Sequence, residues 1–410
     1  MGAKEVIVMI LGIIGGGASG MAAALEASKM PNVRVILFER QARLGKKLLA
    51  TGNGRCNLSN TNACSGGYHG LNPGFASYAL EKMSPEATLE WFSQMGLLTV
   101  TESTGRVYPY SDQANSVVDV LRFALDQPNI RLCLGAEVRK LSKAEQGFSV
   151  VTDEETVFCD KVIVACGGLA GTKLGGSMAG YKLLSKLGHK STKLRPALVQ
   201  LKTGWPGIAA LKGVRANCHV EILKDGIHHS ESTGEIQFTD YGLSGPVIFE
   251  TSRDACSSAG TWTAKLDFLP QWDVQQLLRT LSARPSSLTT DDLLTGILHN
   301  RLGRVLTKAA GIGQCAVKDL SDDELAAVCR TVKAFEVSLT EPMGMDSAQV
   351  TAGGIITDEF DQTTMESRLV PGLYACGEVL DIDGDCGGYN LQWAWSSGIL
   401  AGRSAGKETL

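Results

Sequence analysis

Three consecutive glycines, Gly15 to Gly17, followed by Ala18, Ser19 and Gly20, interrupt a twenty-residue stretch without charge, VIVMILGIIGGGASGMAAAL at 6–25. About 20 apolar residues suffice to cross a bilayer, but the glycines confine the apolar part to residues 6–14, which is strand length. The small residues after them lead into the helix-forming MAAALEASK rather than into a signal-peptide cleavage site. Strand, glycine turn and helix in that order fit G-x-G-x-x-G, with Gly15, Gly17 and Gly20 as its glycines. The first permits the tight turn, the second lets a pyrophosphate approach the backbone, and the third lets the helix pack on the strand. The helix start at Ala18 and Ser19 then faces the phosphates.

The next apolar run, VRVILFER, reads as a second strand that ends in Glu39 and Arg40. A carboxylate at that strand end accepts hydrogen bonds from a ribose diol, so the segment reads as a dinucleotide site. A chain of 410 residues exceeds one small core and implies two or three domains. With 39 basic and 43 acidic residues the net charge is -4, and no lysine or arginine block that would track a phosphate backbone is evident. We therefore expect no nucleic-acid partner and no membrane span. The eleven cysteines form no C-x-x-C pair and the six histidines no H-E-x-x-H, so no metal site is expected. Unpaired, scattered thiols suit a cytoplasmic chain. His228 and His229 read as part of a polar turn.

Two further segments address the choice of dinucleotide. DKVIVACGG, at 160–168, reads as a buried parallel strand ending in Cys166, Gly167 and Gly168 at the edge where ligands bind. PGLYACGEVLDIDGDCGGYNLQWAWSSGIL, at 371–400, reads as a strand ending in Gly377 and Glu378. A polar loop with Asp381 follows, then an apolar helix opened by Gly387, Gly388, Tyr389, Asn390, Leu391 and Gln392. A helix start aimed at the pyrimidine edge of a flavin stabilises the negative charge that accumulates there on reduction. The second edge therefore favours FAD.

The set IIGGGASGMAAA, GKKLLATGNGRCNLSN, GEIQFTDYGLSGP, VTAGGI and TMESRLVPGLYACGEVLDIDGDCGGYNLQWAWSSG closely resembles the bacterial aminoacetone oxidase family of FAD-dependent flavoproteins, also called BaiN-like, over nearly the whole chain. The resemblance implies an α/β fold: a glutathione-reductase-type FAD-binding Rossmann domain built from both chain ends, with an inserted small β-barrel domain that carries a helical insert. The boundaries expected are 1–192 and 347–410 for the FAD-binding domain, 193–271 and 337–346 for the barrel, and 272–336 for the insert. Short strands such as ALVQLKTG, CHVEILKDG and TWTAKLDF suit a small antiparallel barrel. SLTTDDLLTGILHNRLGRVLTKAAG has helical periodicity, and SDDELAAV opens with a capping box from Ser321 to Glu324.

Carried over by residue, the resemblance implies that Lys47, Asn53, Gly54, Arg55, Cys56 and Asn57 lie near ribose, pyrophosphate or flavin. It also implies that the backbone of Val138 meets adenine. Arg55 could neutralise phosphate or serve in a structural ion pair, and Cys56 reads as a packed side chain rather than a nucleophile. This chain has Asp240 where many members carry histidine, so Asp240 and the adjacent Tyr241 are the weak candidates for a proton donor, and the catalytic residue stays open. The implied activity is hydride transfer between a small organic substrate and flavin N5. Two directions are open: oxidation of an amine with oxygen as acceptor, or reduction of an activated C=C bond with NAD(P)H. Only one complete G-x-G-x-x-G is present, so NAD(P)H would dock transiently. A non-catalytic flavin protein and an RNA-modifying flavoenzyme are the alternatives, and the sequence leaves oligomeric state open.

Overall fold

The computed structural model describes residues 8–407, so Val6 and Ile7 at the start of the first apolar run lie outside the described residues. The chain divides into two compact units. One runs up to Arg195 and resumes at Gln349, and the other is Pro196–Ala348.

The first unit holds a parallel sheet of β1 (Met9–Ile14), β2 (Val33–Glu39), β3 (Ile130–Leu134) and β4 (Lys161–Val164), completed by a returning strand, Leu373–Ala375. These segments are rich in valine, isoleucine and leucine because a parallel sheet is covered on both faces. The order is returning strand, β4, β1, β2, β3. Ile14 lies opposite Phe38 and Val164, and Val164 opposite Ala375, so four strands end level. Gly15, Glu39, Cys166 and Gly377 therefore emerge at one edge, as the strand-end reading expects.

Helix α1 (Ala18–Ser28) is buried from Ser19 to Ser28 and packs on the C-terminal helix Tyr389–Ala405. Side chains at Gly398 and Gly402 would collide with the carbonyls of Ser19 and Ala23, so glycine at both positions lets the two backbones touch. The buried Glu26 carboxylate fastens the crossing: Trp91 Nε1 donates to it at 2.7 Å, Arg403 Nε at 2.7 Å and Lys29 Nζ at 2.5 Å.

The second unit is a closed barrel of β5 (Leu201–Thr203), β6 (Arg215–Lys224), β7 (Ile227–Phe238), β8 (Gly242–Ser244), β9 (Trp262–Asp267) and β10 (Phe335–Pro342), in the order β5-β8-β7-β6-β9-β10. Helices Val274–Ser282, Asn300–Ala309 and Asp322–Lys333 intervene between β9 and β10 and share one apolar core with the barrel. Both partners of the capping box at Ser321 and Glu324 are in place.

Three expectations need correction. His228 and His229 lie inside β7; the turn is Asp225-Gly226, both at positive φ, in a two-residue hairpin between Lys224 and Ile227. The helix expected over 287–311 forms only at Asn300–Ala309. Ahead of it Thr290 Oγ1 donates to Gly313 O at 2.9 Å and accepts from Cys315 N, and Arg284 Nε donates to Leu293 O, so this backbone is held in loops. The barrel resumes at Phe335, two residues inside the span expected to be helical.

One buried polar chain makes the first unit sensitive to pH. His189 Nδ1 donates to Glu359 at 2.8 Å, and its Nε2 accepts from the Ser367 hydroxyl at 3.0 Å while the ring stacks on Phe360. Because a carboxylate only accepts, Nδ1 carries a proton whether or not the ring is charged. Burial pushes the imidazole below the ordinary histidine value, against the opposing pull of Glu359. The folded state thus binds fewer protons than the unfolded state, so this contribution is fully present above about pH 6.5, the unfolded value, and is lost as pH falls through the folded value. Urea unfolding of the wild type and His189→Gln at several pH values checks this: the wild type loses stability on acidification below about pH 6.5, and the variant shows a smaller dependence. Equal slopes would exclude His189 as the source.

Candidate active site

The G-x-G-x-x-G turn is built as the pattern requires. Gly15 has a φ of +116°, a value that suits glycine, and a side chain there would strike the Ala165 carbonyl. A side chain at Gly20 would strike the Gly15 carbonyl, so the third glycine brings helix against strand. Gly17, with an ordinary φ of −83°, differs: no protein atom lies within 4 Å of where its Cβ would be. That space opens at the start of α1, whose first amides have no intrahelical partner. The Glu39 carboxylate accepts from Gly16 N at 2.7 Å and Gln41 N at 2.7 Å, which fixes it at the turn and leaves acceptor capacity for a diol. Arg40 turns to the neighbouring loop and donates to Gly175 O at 2.7 Å. Val138 is buried in the core, four residues past the end of β3.

A network of four sequence-distant segments lies along the same edge. Lys47 Nζ pairs with Glu378 Oε2 at 2.8 Å, and Thr351 N donates to Glu378 Oε1 at 2.9 Å. The Thr351 hydroxyl accepts from Leu169 N at 2.9 Å and Ala170 N at 2.8 Å, which shapes the loop after β4. A side chain at Gly168 would come within 2.5 Å of both Glu378 Oε1 and Thr351 Oγ1. Thr351 is absent from the residues singled out by sequence, although VTAGGI contains it; a hydroxyl role leaves no spacing signal. No protein atom lies within 4 Å of a Cβ at Gly167 or Gly54, the latter beside the exposed Asn53.

The loop after Gly54 divides the remaining candidates. Arg55 pairs with Glu102 at 3.2 Å and with Asp112 and stacks on Tyr108, so the structural ion pair is its role here and no free guanidinium is presented to a phosphate. Cys56 is buried and burial pushes its thiol up to about 12, as it does Cys166, so neither is a nucleophile near neutrality. Asn57 Oδ1 is buried with no hydrogen-bond partner among the described residues, an acceptor waiting for a donor.

At the second edge, Gly388 begins the C-terminal helix at a φ of +105°, and a side chain there would collide with the Ser59 carbonyl and lie 2.9 Å from Asn57 Oδ1. Asn390 clamps Gly384, accepting from its N at 2.8 Å and donating to its O at 2.6 Å. The Tyr389 ring meets Tyr68 edge to face. Gln392 does not face an open site: it is fully buried, accepting from Ser59 Oγ and donating to Met83 O, Thr88 Oγ1 and Ser396 Oγ. Leu391 packs on the core, a side chain at Gly377 would come 2.5 Å from Ser19 Oγ, and the buried Asp381 carboxylate accepts from Leu71 N at 3.1 Å. The amides of this helix start, rather than these side chains, remain for a ligand.

Asp240 and Tyr241 belong to the second unit. Lys212 bonds Asp240 at 2.7 Å and holds its carboxyl below the usual range, so it is ionised near neutrality and has no proton to give. Tyr241 is partly exposed, and its carbonyl accepts from Thr203 N.

The HI0933-like protein Rossmann domain family matches residues 9–404. The chain belongs to this family. Among its relatives, a 3-dehydro-bile acid delta(4,6)-reductase of Clostridium scindens is 38% identical over 403 residues, 96% of this chain and 98% of that protein. A ribosomal RNA dihydrouridine synthase of Escherichia coli is 31% identical over 94% of this chain and 95% of that protein. In fold the chain is similar to a 3-ketosteroid delta1-dehydrogenase from Sterolibacterium denitrificans, with a TM-score of 0.52 at 12% identity over 97% of this chain and 99% of that one. The HI0933-like chain is an oxidoreductase. Its Rossmann unit has the parallel sheet, and its second unit the closed barrel, that the resemblance implies.

The Lys47–Glu378 pair sets a test of this edge. Glu378→Gln leaves a half-buried ammonium without its charge partner and should cost about 2 kcal/mol in urea unfolding. Lys47→Met combined with Glu378→Met should cost less than that single change, because no uncompensated charge remains. A double variant less stable than Glu378→Gln would show that the uncompensated charge is not what the single change costs.

Proposed function

We propose that this chain is an FAD-dependent reductase that adds hydrogen across a carbon–carbon double bond conjugated to a carbonyl, with electrons from transiently docked NAD(P)H. The observation that carries the reading is a bond common to the relatives. A 3-dehydro-bile acid with a delta(4,6) unsaturation is a conjugated ketone, and dihydrouridine is uridine saturated at the double bond conjugated to its ring carbonyl. Oxidation of an amine by oxygen has no counterpart in these names.

The residues present fit a flavin dinucleotide. Space at Gly17 and the start of α1 suit a pyrophosphate, and Glu39 suits a ribose. The orphaned Asn57 Oδ1 and the helix start at Gly388 suit the donor and acceptor edge of an isoalloxazine. When bound, such a cofactor supplies the hydride chemistry; the protein supplies orientation and electrostatics. Lys47 and Glu378, locked to each other and to Thr351, keep the loops that flank that space in place.

A second reading, with a uridine in RNA as the unsaturated acceptor, is favoured by one feature. Residues 161–220 contain ten lysines and arginines and no acidic residue. Within the first unit Lys173, Lys182, Lys186, Lys190 and Lys193 are exposed, and none of them forms an ion pair among the described residues. That charge asymmetry is invisible in the overall balance, and it suits a polyanion.

Denaturation of the purified protein should release FAD. Gly17→Leu should melt like the wild type stripped of FAD yet fail to take up the cofactor, because its side chain enters space that no protein atom occupies. Full FAD occupancy in that variant would contradict the assignment of this space. For the reaction, chemically reduced enzyme is mixed without oxygen with a cyclic enone or a uridine-containing RNA, and oxidised enzyme with a primary amine. The enone should reoxidise the flavin; reoxidation by RNA alone selects the second reading, and reduction by the amine alone rejects both.

A further inference from the structure

We propose that Tyr108 is the proton donor to the α-carbon of the substrate's double bond, a catalytic residue outside the loops that would hold the cofactor. The proposal rests on the reading of the chain as a reductase of conjugated double bonds.

Tyr108 lies on the short strand Arg106–Pro109, which pairs with Thr99–Thr101 on one side and Ser59–Asn60 on the other. The residue is only 6% exposed, yet its hydroxyl has no hydrogen-bond partner among the described residues. The hydroxyl is not among the enclosed polar atoms that lack a partner, so although the ring is packed its oxygen reaches the surface of the fold, where a ligand can meet it. The ring is fixed from its face by the Arg55 guanidinium, 3.9 Å from the centroid. From its edge it is fixed by Gly52, where a Cβ would lie 3.4 Å from Tyr108 Cε1. Arg106, two residues before it on the same strand, lies against the Cys386–Gly388 turn: a Cβ at Gly387 would lie 2.9 Å from Arg106 Nε. Tyr108 thus stands where the Leu48–Gly54 loop meets the Cys386–Gly388 turn, the two segments that flank the orphaned Asn57 and the C-terminal helix start.

The chemistry asked of it balances. Once the β-carbon has received a hydride in the proposed reaction, the electron pair of the former double bond lies over the α-carbon and the carbonyl oxygen. The Tyr108 O–H bond breaks, its proton forms the new bond at the α-carbon, and the pair left on the phenolate is neutralised by a proton from water. Burial, reinforced by Glu102, holds the phenol above the ordinary tyrosine value, so it is protonated when it acts. Arg106 and Arg55 pull the other way and would stabilise the phenolate as it forms. Asp112 and Glu102 neutralise Arg55 in turn.

The test uses the FAD-loaded enzyme, reduced without oxygen and mixed with a cyclic enone. Tyr108→Phe keeps the ring and its packing and removes only the hydroxyl. It should slow flavin reoxidation by about a hundredfold or more, the contribution of a positioned general acid. FAD retention, melting temperature and flavin reduction by NAD(P)H should stay at the wild-type level. In deuterated water the wild type should place deuterium on one face of the α-carbon and the variant on both. Without substrate, tyrosinate absorbance of wild type minus variant should show one phenol ionising above the ordinary tyrosine value. Wild-type reoxidation rates and deuterium placement in the variant, or a phenol ionising below the ordinary value, would overturn the assignment alone. A wild type that no enone reoxidises would overturn the reductase reading, and the assignment with it.

Discussion

The contact between α1 and the C-terminal helix is the constraint on which the rest of the first unit depends. Backbones touch there because Gly398 and Gly402 lie against the carbonyls of Ser19 and Ala23, and a single added carbon at either position has nowhere to go. The crossing also carries a buried carboxylate. An isolated ionised glutamate in such a place would be costly, but Glu26 receives Trp91, Lys29 and Arg403, and its carboxyl stays below the usual range although burial alone pushes upward. These bonds tie the first helix of the chain to the last. The glycine turn at Gly15 and the helix start at Gly388 each lead directly into one of those helices, so fixing the crossing fixes both ends of the site.

What could be read in the sequence follows from how local each determinant is. The turn at Gly15, the strand end at Glu39 and the capping box at Ser321 are set by neighbours a few residues away, and the pattern for each is carried in one short segment. Their structures match their patterns. Pairings across long separations leave no such trace: Lys47 and Glu378 are 331 positions apart, and Ser59 and Gln392 are 333 apart. The motif around Gln392 was legible as a segment, but periodicity could not tell a side chain aimed at a ligand from one satisfied by Ser59, Met83, Thr88 and Ser396. For Arg55 the sequence left phosphate and structural ion pair both open for the same reason, since its acids come from Glu102 and Asp112. The helical periodicity over 287–299 was real as a pattern, yet Thr290 and Arg284 bind that backbone into loops, a tertiary override of propensity.

Charge is distributed so that function is separated from bulk composition. The net charge is small, but one sixty-residue span lacks acid entirely while the candidate proton donors sit elsewhere. Asp240 shows why residue type alone misleads. A carboxylate placed beside Lys212 and left in water is an ion-pair partner, whereas a partly buried phenol near two guanidiniums keeps its proton and has somewhere to leave the charge. Burial and neighbours, not identity, separate the two.

The second edge is organised before any ligand arrives. Gly388 is pressed on the Ser59 carbonyl, Asn390 holds Gly384 by both its backbone groups, and Gln392 is bonded on all sides. The helix start therefore cannot drift, and its free amides point where the surrounding bonds send them. Dipoles fixed in this way stabilise charge as it forms without first having to reorient, which is the main electrostatic advantage a folded site has over water. It also explains why Gly388 is a poor place to probe those amides: any side chain there breaks the contact with Ser59 before it reaches a ligand. Gly17, with open space and an ordinary backbone conformation, is the position where a change acts on the ligand alone.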